Sequence, residues 1–206
     1  PNGSQGALYA FSRTGTTWTQ QQRIEPANPP ASENFGFALA LSDNTALVSG
    51  VATHVFVRSG TNWTEQPSIP LGGVALALSG DTAVIGSEFE DVGANVDQGA
   101  VHVFVRSGTS WTEQQRLTAS DGEPSDGFGN AVAIAENTLI VGDALDRSSG
   151  SVGRGSAYAT PATSTGRLRG TPTRLRSTRR RPSPIKIAAG PIAAKASSTA
   201  PSPTTT

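Results

Sequence analysis

At 206 residues the chain has room for one large domain or two small ones, and only 35% of it is hydrophobic. It holds 23 glycines, 14 prolines and no cysteine, a turn-rich composition that suits many short strands and excludes disulfides, a thiolate nucleophile and a thiolate metal site. A net charge of zero hides a sharp division: 16 acidic residues and 7 arginines precede Thr160, whereas nine basic residues and no acid follow Ala159. Methionine is absent, so the chain is not expected to begin at a translation start, and no apolar run approaches the roughly 20 residues of a membrane-spanning helix.

Taken in chain order, the same strand signals return three times. GALYAFSRTGTTWTQQQRI from Gly6 is matched by VATHVFVRSGTNWTEQPSI from Val51 and GAVHVFVRSGTSWTEQQRL from Gly99. Between them run FGFALALSDNTALVSG from Phe35, GGVALALSGDTAVIGS from Gly72 and FGNAVAIAENTLIVGD from Phe128. The marker tryptophans, Trp18, Trp63 and Trp111, stand 45 and 48 residues apart. Eighteen residues separate Trp18 from Gly36 and Trp111 from Gly129, but only 10 separate Trp63 from Gly73, so one connection of the middle repeat is eight residues shorter.

Each period reads as four strands. In GAVHVFVRSG, Val101, Val103 and Val105 alternate with His102, Phe104 and Arg106, the period-two pattern of a strand with two distinct faces. Thr14-Gly15, Ser59-Gly60 and Ser107-Gly108 mark tight turns into a polar strand at each tryptophan, as suits an outer position. The next strand carries Ala38 and Ala40, or Val132 and Ile134; a short SDNT, SGDT or AENT turn leads to a continuously apolar strand, TALVSG, TAVIGS or TLIVGD, expected to be covered on both faces. Four short strands in about 45 residues is the rhythm of a β-propeller blade.

The paired FG…LVSG, FG…LIVGD and G(A/S)-x-V-x-V-F elements resemble the FG-GAP repeat of integrin α-subunit propellers, and more closely a bacterial-type subset with SGTxW(T)xQQ turns. The resemblance covers roughly residues 3–159 and implies an all-β, partial β-propeller. In the family's phasing, residues 35–67 and 72–118 form two complete blades, 1–25 supply the last two strands of an earlier blade, and 128–159 the first two or three of a later one. The family's calcium loop, of the form DxDxDGxxD, is missing from this sequence. One or two side-chain oxygens in SDNT, SGDT or AENT cannot replace the about 6–8 oxygen ligands calcium takes, so calcium by that route is not expected and no cofactor is implied.

The repeat, expected over 1–159, stops just after Gly155-Ser156-Ala157-Tyr158 has begun a further strand. Residues 160–206 are rich in Arg, Pro, Ser and Thr without apolar periodicity, and such a segment is expected to be disordered. It reads as a basic arm for an anionic surface, as a flexible linker, or as out-of-frame translation of further repeats. The last fits best the change of composition in mid-strand, and a nucleic-acid partner is not expected because no aromatic residue interleaves the arginines.

His54 and His102 recur at one repeat position, shared by Tyr9 and Tyr158, and Arg13, Arg58 and Arg106 recur at another. Catalytic groups are unique points, so these read as scaffold and the chain as no enzyme. A sialidase-like hydrolase fragment is the rival reading, since three arginines could clamp a carboxylate, but the Asp of the sialidase box is missing. The loop from Glu88 to Asp97, with Asp143 and Asp146 in the matching loop of the next repeat, is the candidate metal site: Glu90, Asp91, Asn95 and Asp97 offer oxygens suited to a hard cation, or else form a solvated acidic loop. Asn62-Trp63-Thr64 and Asn2-Gly3-Ser4 match the glycosylation acceptor pattern. The expected function is a non-catalytic binding or structural module of a secreted or cell-surface protein, meeting a protein or carbohydrate ligand through the 87–98 and 119–127 loops. An incomplete ring would also leave blade edges open to self-association, or leave the fragment without an independent function.

Overall fold

The computed structural model of the chain describes residues 6–27, 33–146, 155–160 and 172–175. The Asn2-Gly3-Ser4 acceptor and the basic segment, other than Thr160 and 172–175, lie outside the described residues. Every element among the described residues is a strand, and every pairing is antiparallel.

The strands fall into one two-stranded and three four-stranded sheets. The first sheet pairs β1 (Leu8–Thr14) with β2 (Thr17–Ile24). The second runs β3 (Leu39–Ser42), β4 (Thr45–Val48), β5 (Thr53–Ser59) and β6 (Asn62–Ile69), neighbours in sequence being neighbours in space. The third repeats that order with β7 (Ala75–Ser79), β8 (Thr82–Ser87), β9 (Ala100–Ser107) and β10 (Ser110–Leu117). The fourth contains β11 (Phe128–Ala135), β12 (Thr138–Asp143), β13 (Ser156–Thr160) and β14 (Thr173–Arg174). These four-stranded meanders are the blades of a partial propeller.

The two phased blades, 35–67 and 72–118, form as the repeat predicts, and residues 6–24 form the outer pair of an earlier one. The fourth sheet gains a strand that the sequence did not announce. Thr173 pairs with Ala159 and Arg174 with Tyr158, so two residues of the basic segment close the outer edge of this sheet. A two-residue strand has no alternation from which to read it.

Among the described residues the tight turns lie at one end of the sheets and the longer connections at the other. At the tight end, Asp43, Gly80 and Glu136 each take a positive φ (51°, 55° and 50°) as the first residue of a two-residue turn, the pattern of type II′ hairpins. At the opposite rim lie the connections 49–52, 70–74, 88–99 and 118–127, and this end carries the variation between repeats.

The core is a stack of three layers between successive sheets. Alternate residues of one strand face opposite neighbours, as the β period requires. On β4, Ala46 and Val48 pack toward the first sheet with Ile24, Phe35 and Phe56, while Leu47 packs toward the third with Leu76, Leu78, Ala83 and Ile85. On β8, Ala83 and Ile85 face backward and Val84 faces forward, onto Phe128, Leu139, Val141 and Tyr158. The apolar runs TALV and TAVI are thus doubly covered strands.

One close approach recurs between sheets. A Cβ on Gly6 would lie 2.0 Å from the carbonyl oxygen of Phe35, and one on Gly99 would lie 2.1 Å from that of Phe128. The glycine that opens each β1- or β9-type strand therefore lies against the backbone of the FG phenylalanine of the next sheet. At the middle junction the roles are exchanged. Val51 occupies the glycine position, and the phenylalanine position is Gly72, where a Cβ would lie 2.7 Å from the Val51 oxygen. One partner of each pair is glycine, whichever side supplies it.

Leu47 and Ile140 occupy the same register position, but Leu47 is fully buried by the next sheet and Ile140 is 43% exposed. Leu47→Ala should cost about 2–5 kcal/mol in denaturant unfolding, and Ile140→Ala well under about 1 kcal/mol. Equal costs would mean that the sheets do not stack in this order.

Candidate functional site

The long-connection rim opens into a pocket of about 520 Å³ between the second and third sheets. Its walls are the 33–37 segment, Ser49–Val51, the short 71–74 connection and Ser87–Glu90. Phe37 and Phe89 stand 73% and 69% exposed at its mouth beside Val51, and among the described residues Glu33, Glu88 and Glu90 are its only charged lining residues. The pocket sits where the eight-residue deletion and the Val51–Gly72 exchange coincide. At the other two junctions the FG phenylalanine is buried, Phe35 at 4% and Phe128 at 0% exposure; here Gly72 and Gly73 line the opening instead. A volume of this size falls in the range of about 300–1,000 Å³ typical of small-ligand sites.

Two histidine bridges brace the walls. His54 joins Glu33 through Nε2 (2.8 Å) and Glu65 through Nδ1 (2.7 Å). His102 repeats the arrangement with Glu90 (2.7 Å) and Glu113 (2.9 Å). Glu33 also accepts from the Val51 amide at 3.0 Å, and Glu90 accepts from Arg116 Nε at 2.6 Å. Burial raises the Glu90 carboxyl, but hydrogen bonds from His102 and Arg116 outweigh it and leave the group below its ordinary value. The sequence predicted large side chains packed on a strand at these positions. His102 is buried and His54 partly buried, and each additionally links an outer strand to a rim segment. In the fourth sheet Tyr158 takes the same place, stacks edge-on against Phe128 and donates to Asp121 at 2.9 Å.

The candidate metal residues Glu90, Asp91 and Asn95 are each engaged with separate partners. Glu90 holds His102 and Arg116; Asp91 accepts from the Asp97 amide at 2.9 Å. Asn95 donates to Gln98 and to the Gly122 carbonyl, and Asp97 is exposed, with φ 52°. Among the described residues no three His, Asp or Glu groups are arranged to hold a metal ion. The 87–98 and 119–127 loops are stitched together, because the Ser125 amide donates to the Val96 carbonyl at 2.8 Å and the Gly127 amide to that of Asp97 at 3.3 Å.

The recurring arginines serve the tight-turn end. Arg58 donates twice to Asn44 and lies 5.7 Å over Trp63; Arg106 donates to Asp81 and Thr45 and lies 5.5 Å over Trp111. Arg13 donates to the Gly15 carbonyl. They occupy one phase of successive sheets and do not meet. Asn62 and Trp63 of the second acceptor pattern lie at the start of β6, Asn62 exposed.

Phe37 and Phe89 were not singled out from the sequence. Phe37 is matched by Val74 and Asn130, so an aromatic at a position otherwise filled by smaller side chains was the available signal.

A second acidic group lies at the rim of the fourth sheet. Asp143 is 1% exposed at the end of β12. Burial, and then the neighbouring Asp126 and Asp146, push its carboxyl from 3.8 up to about 7, against weaker opposition from the Leu145 and Asp146 amides. The folded state therefore holds this proton more tightly than the unfolded chain. The site's stability is fully present below about pH 4 and falls as pH rises through about 7. Asp143→Asn should raise Tm at pH 8, with the gain shrinking toward pH 4. A gain that does not vary with pH would contradict this.

A family model described as the FG-GAP repeat matches residues 111–160, from β10 through β13. No curated protein is similar to the chain.

Proposed function

We propose that this FG-GAP repeat protein is a non-catalytic binding module, part of a secreted or cell-surface propeller, that holds a protein or carbohydrate ligand at its long-connection rim. The observation that carries the reading is the pocket between Phe37 and Phe89. Exposed aromatics beside a concave opening supply contact area at low conformational cost and stack on sugar faces or on cationic side chains. The lining includes three glutamates and no lysine or arginine, which favours a basic protein segment over an acidic glycan. A non-catalytic role is supported by the way the recurrent polar side chains are used: His54, His102, Arg58 and Arg106 tie strands to turns and loops. The secreted or surface setting is what the FG-GAP resemblance implies. No helix among the described residues is long and apolar enough to cross a membrane.

The test is a panel of immobilised glycans and displayed random peptides probed with the 206-residue chain and with its Phe37→Ala/Phe89→Ala variant. The expected result is enrichment of ligands with basic side chains, at least about tenfold weakened in the variant at unchanged Tm. Binding that survives both substitutions, or no binding at all, would overturn the proposal.

A further inference from the structure

Of the three glutamates that line the rim pocket, two are already committed. Glu33 accepts from the Val51 amide and meets Nε2 of His54, and Glu90 meets Nε2 of His102 and accepts from Arg116. Glu88 differs. It is partly buried in the same wall, and among the described residues it has no hydrogen bond and no ion pair. A carboxylate withdrawn from part of its water without a partner carries a desolvation cost that a cation at the same place offsets.

The rest of the lining narrows the class of cation. Phe37 and Phe89 are the exposed rings at the mouth, and Val51, Leu71 and Val74 add apolar surface. An aromatic ring attracts a cation placed over its face, more strongly as that cation loses water. A primary ammonium brings three N–H donors and a guanidinium five. Either would strand donors here, because Glu88 is the one lining carboxylate left to receive them among the described residues. A quaternary ammonium has no N–H to satisfy, and its methyl groups pack on apolar walls and aromatic faces alike.

We propose that the rim pocket is a receptor for a quaternary ammonium group, held by Phe37 and Phe89 with Glu88 as its counter-ion. This rests on the binding reading above and deepens it: the basic ligand is one whose cation is fully methylated. The same chemistry is carried by a trimethylated lysine of a protein segment and by a free choline-type cation. Glu33 and Glu90 hold the walls and do not meet the ligand's charge.

The test is titration of the 206-residue chain with one short Gly/Ser peptide in four forms, and with choline. The forms carry lysine, arginine, trimethyl-lysine or the neutral carbon isostere of trimethyl-lysine. Trimethyl-lysine should bind at least about tenfold more tightly than the other three. Glu88→Gln should weaken it at least about tenfold at unchanged Tm, while leaving the isostere unaffected. Choline that displaces the trimethylated peptide supports the proposal with the free cation as a sufficient ligand; choline that does not supports it with the protein segment as the source. Lysine binding as tightly as trimethyl-lysine, with loss in Phe37→Ala/Phe89→Ala, would overturn the quaternary ammonium and leave the pocket a ligand site. An isostere that binds equally well, or trimethyl-lysine binding that is unchanged in Glu88→Gln, overturns the proposal on the same terms. Failure of every probe to bind overturns it together with the reading on which it rests.

Discussion

Each sheet of this chain has two apolar faces, and only another sheet can cover them. A strand such as β8, with Ala83 and Ile85 on one side and Val84 on the other, has no solvent side to spend on polar residues. Burying both faces requires a neighbour before and a neighbour after, and that requirement orders the chain into a stack rather than into separate domains. The cost of leaving a face open is visible at the two ends, where Leu39, Leu41 and Ile140 are exposed although their counterparts within the stack are buried. The hydrophobic contribution, about 25 cal/mol for each Å² removed from water, is realised only where a further sheet arrives.

Close stacking explains the glycines and, through them, the rim pocket. Sheets that approach until one backbone touches the next leave no room for a Cβ on both sides of the contact. Two junctions solve this with Gly6 or Gly99 against a buried phenylalanine. The third puts Val51 against Gly72, and the phenylalanine that elsewhere fills the rim is gone. Together with the shortened 70–74 connection, that exchange leaves an opening, bordered by exposed Phe37 and Phe89 and braced by the two histidine bridges. The pocket thus arises from a local departure from the repeat, whereas the residues that recur are committed to holding strands in place.

Much of the architecture was legible because the repeat is written at strand resolution. The alternation of Val101, Val103 and Val105, the Ser-Gly turns and the unbroken TALV and TAVI runs each state a local conformation and its burial. Contacts between repeats were less accessible. Nothing about His54 in isolation indicates that Glu33 and Glu65, 21 and 11 residues away, converge on its two nitrogens. The raised Asp143 carboxyl depends on Asp126 arriving from another connection, and β14 has only two residues with which to announce itself. Phe37 and Phe89 were hidden for a related reason: exposure of an aromatic is a property of its neighbours' size, and those neighbours come from a different repeat.

The close backbone approach between sheets is the contact on which the stacking account stands, and comparing Gly99→Ala with Gly108→Ala tests it most directly. Both glycines take a positive φ, 86° and 63°, so the backbone strain of an alanine is common to the two. Only at Gly99 would the added Cβ meet a neighbouring sheet, 2.1 Å from the Phe128 carbonyl oxygen, whereas nothing lies within 4 Å of it at Gly108. The account predicts that Gly99→Ala is more destabilising than Gly108→Ala by more than about 1 kcal/mol in denaturant unfolding. Losses equal to within about 0.5 kcal/mol would show that the two sheets do not meet at this point, and the stack as described would be wrong.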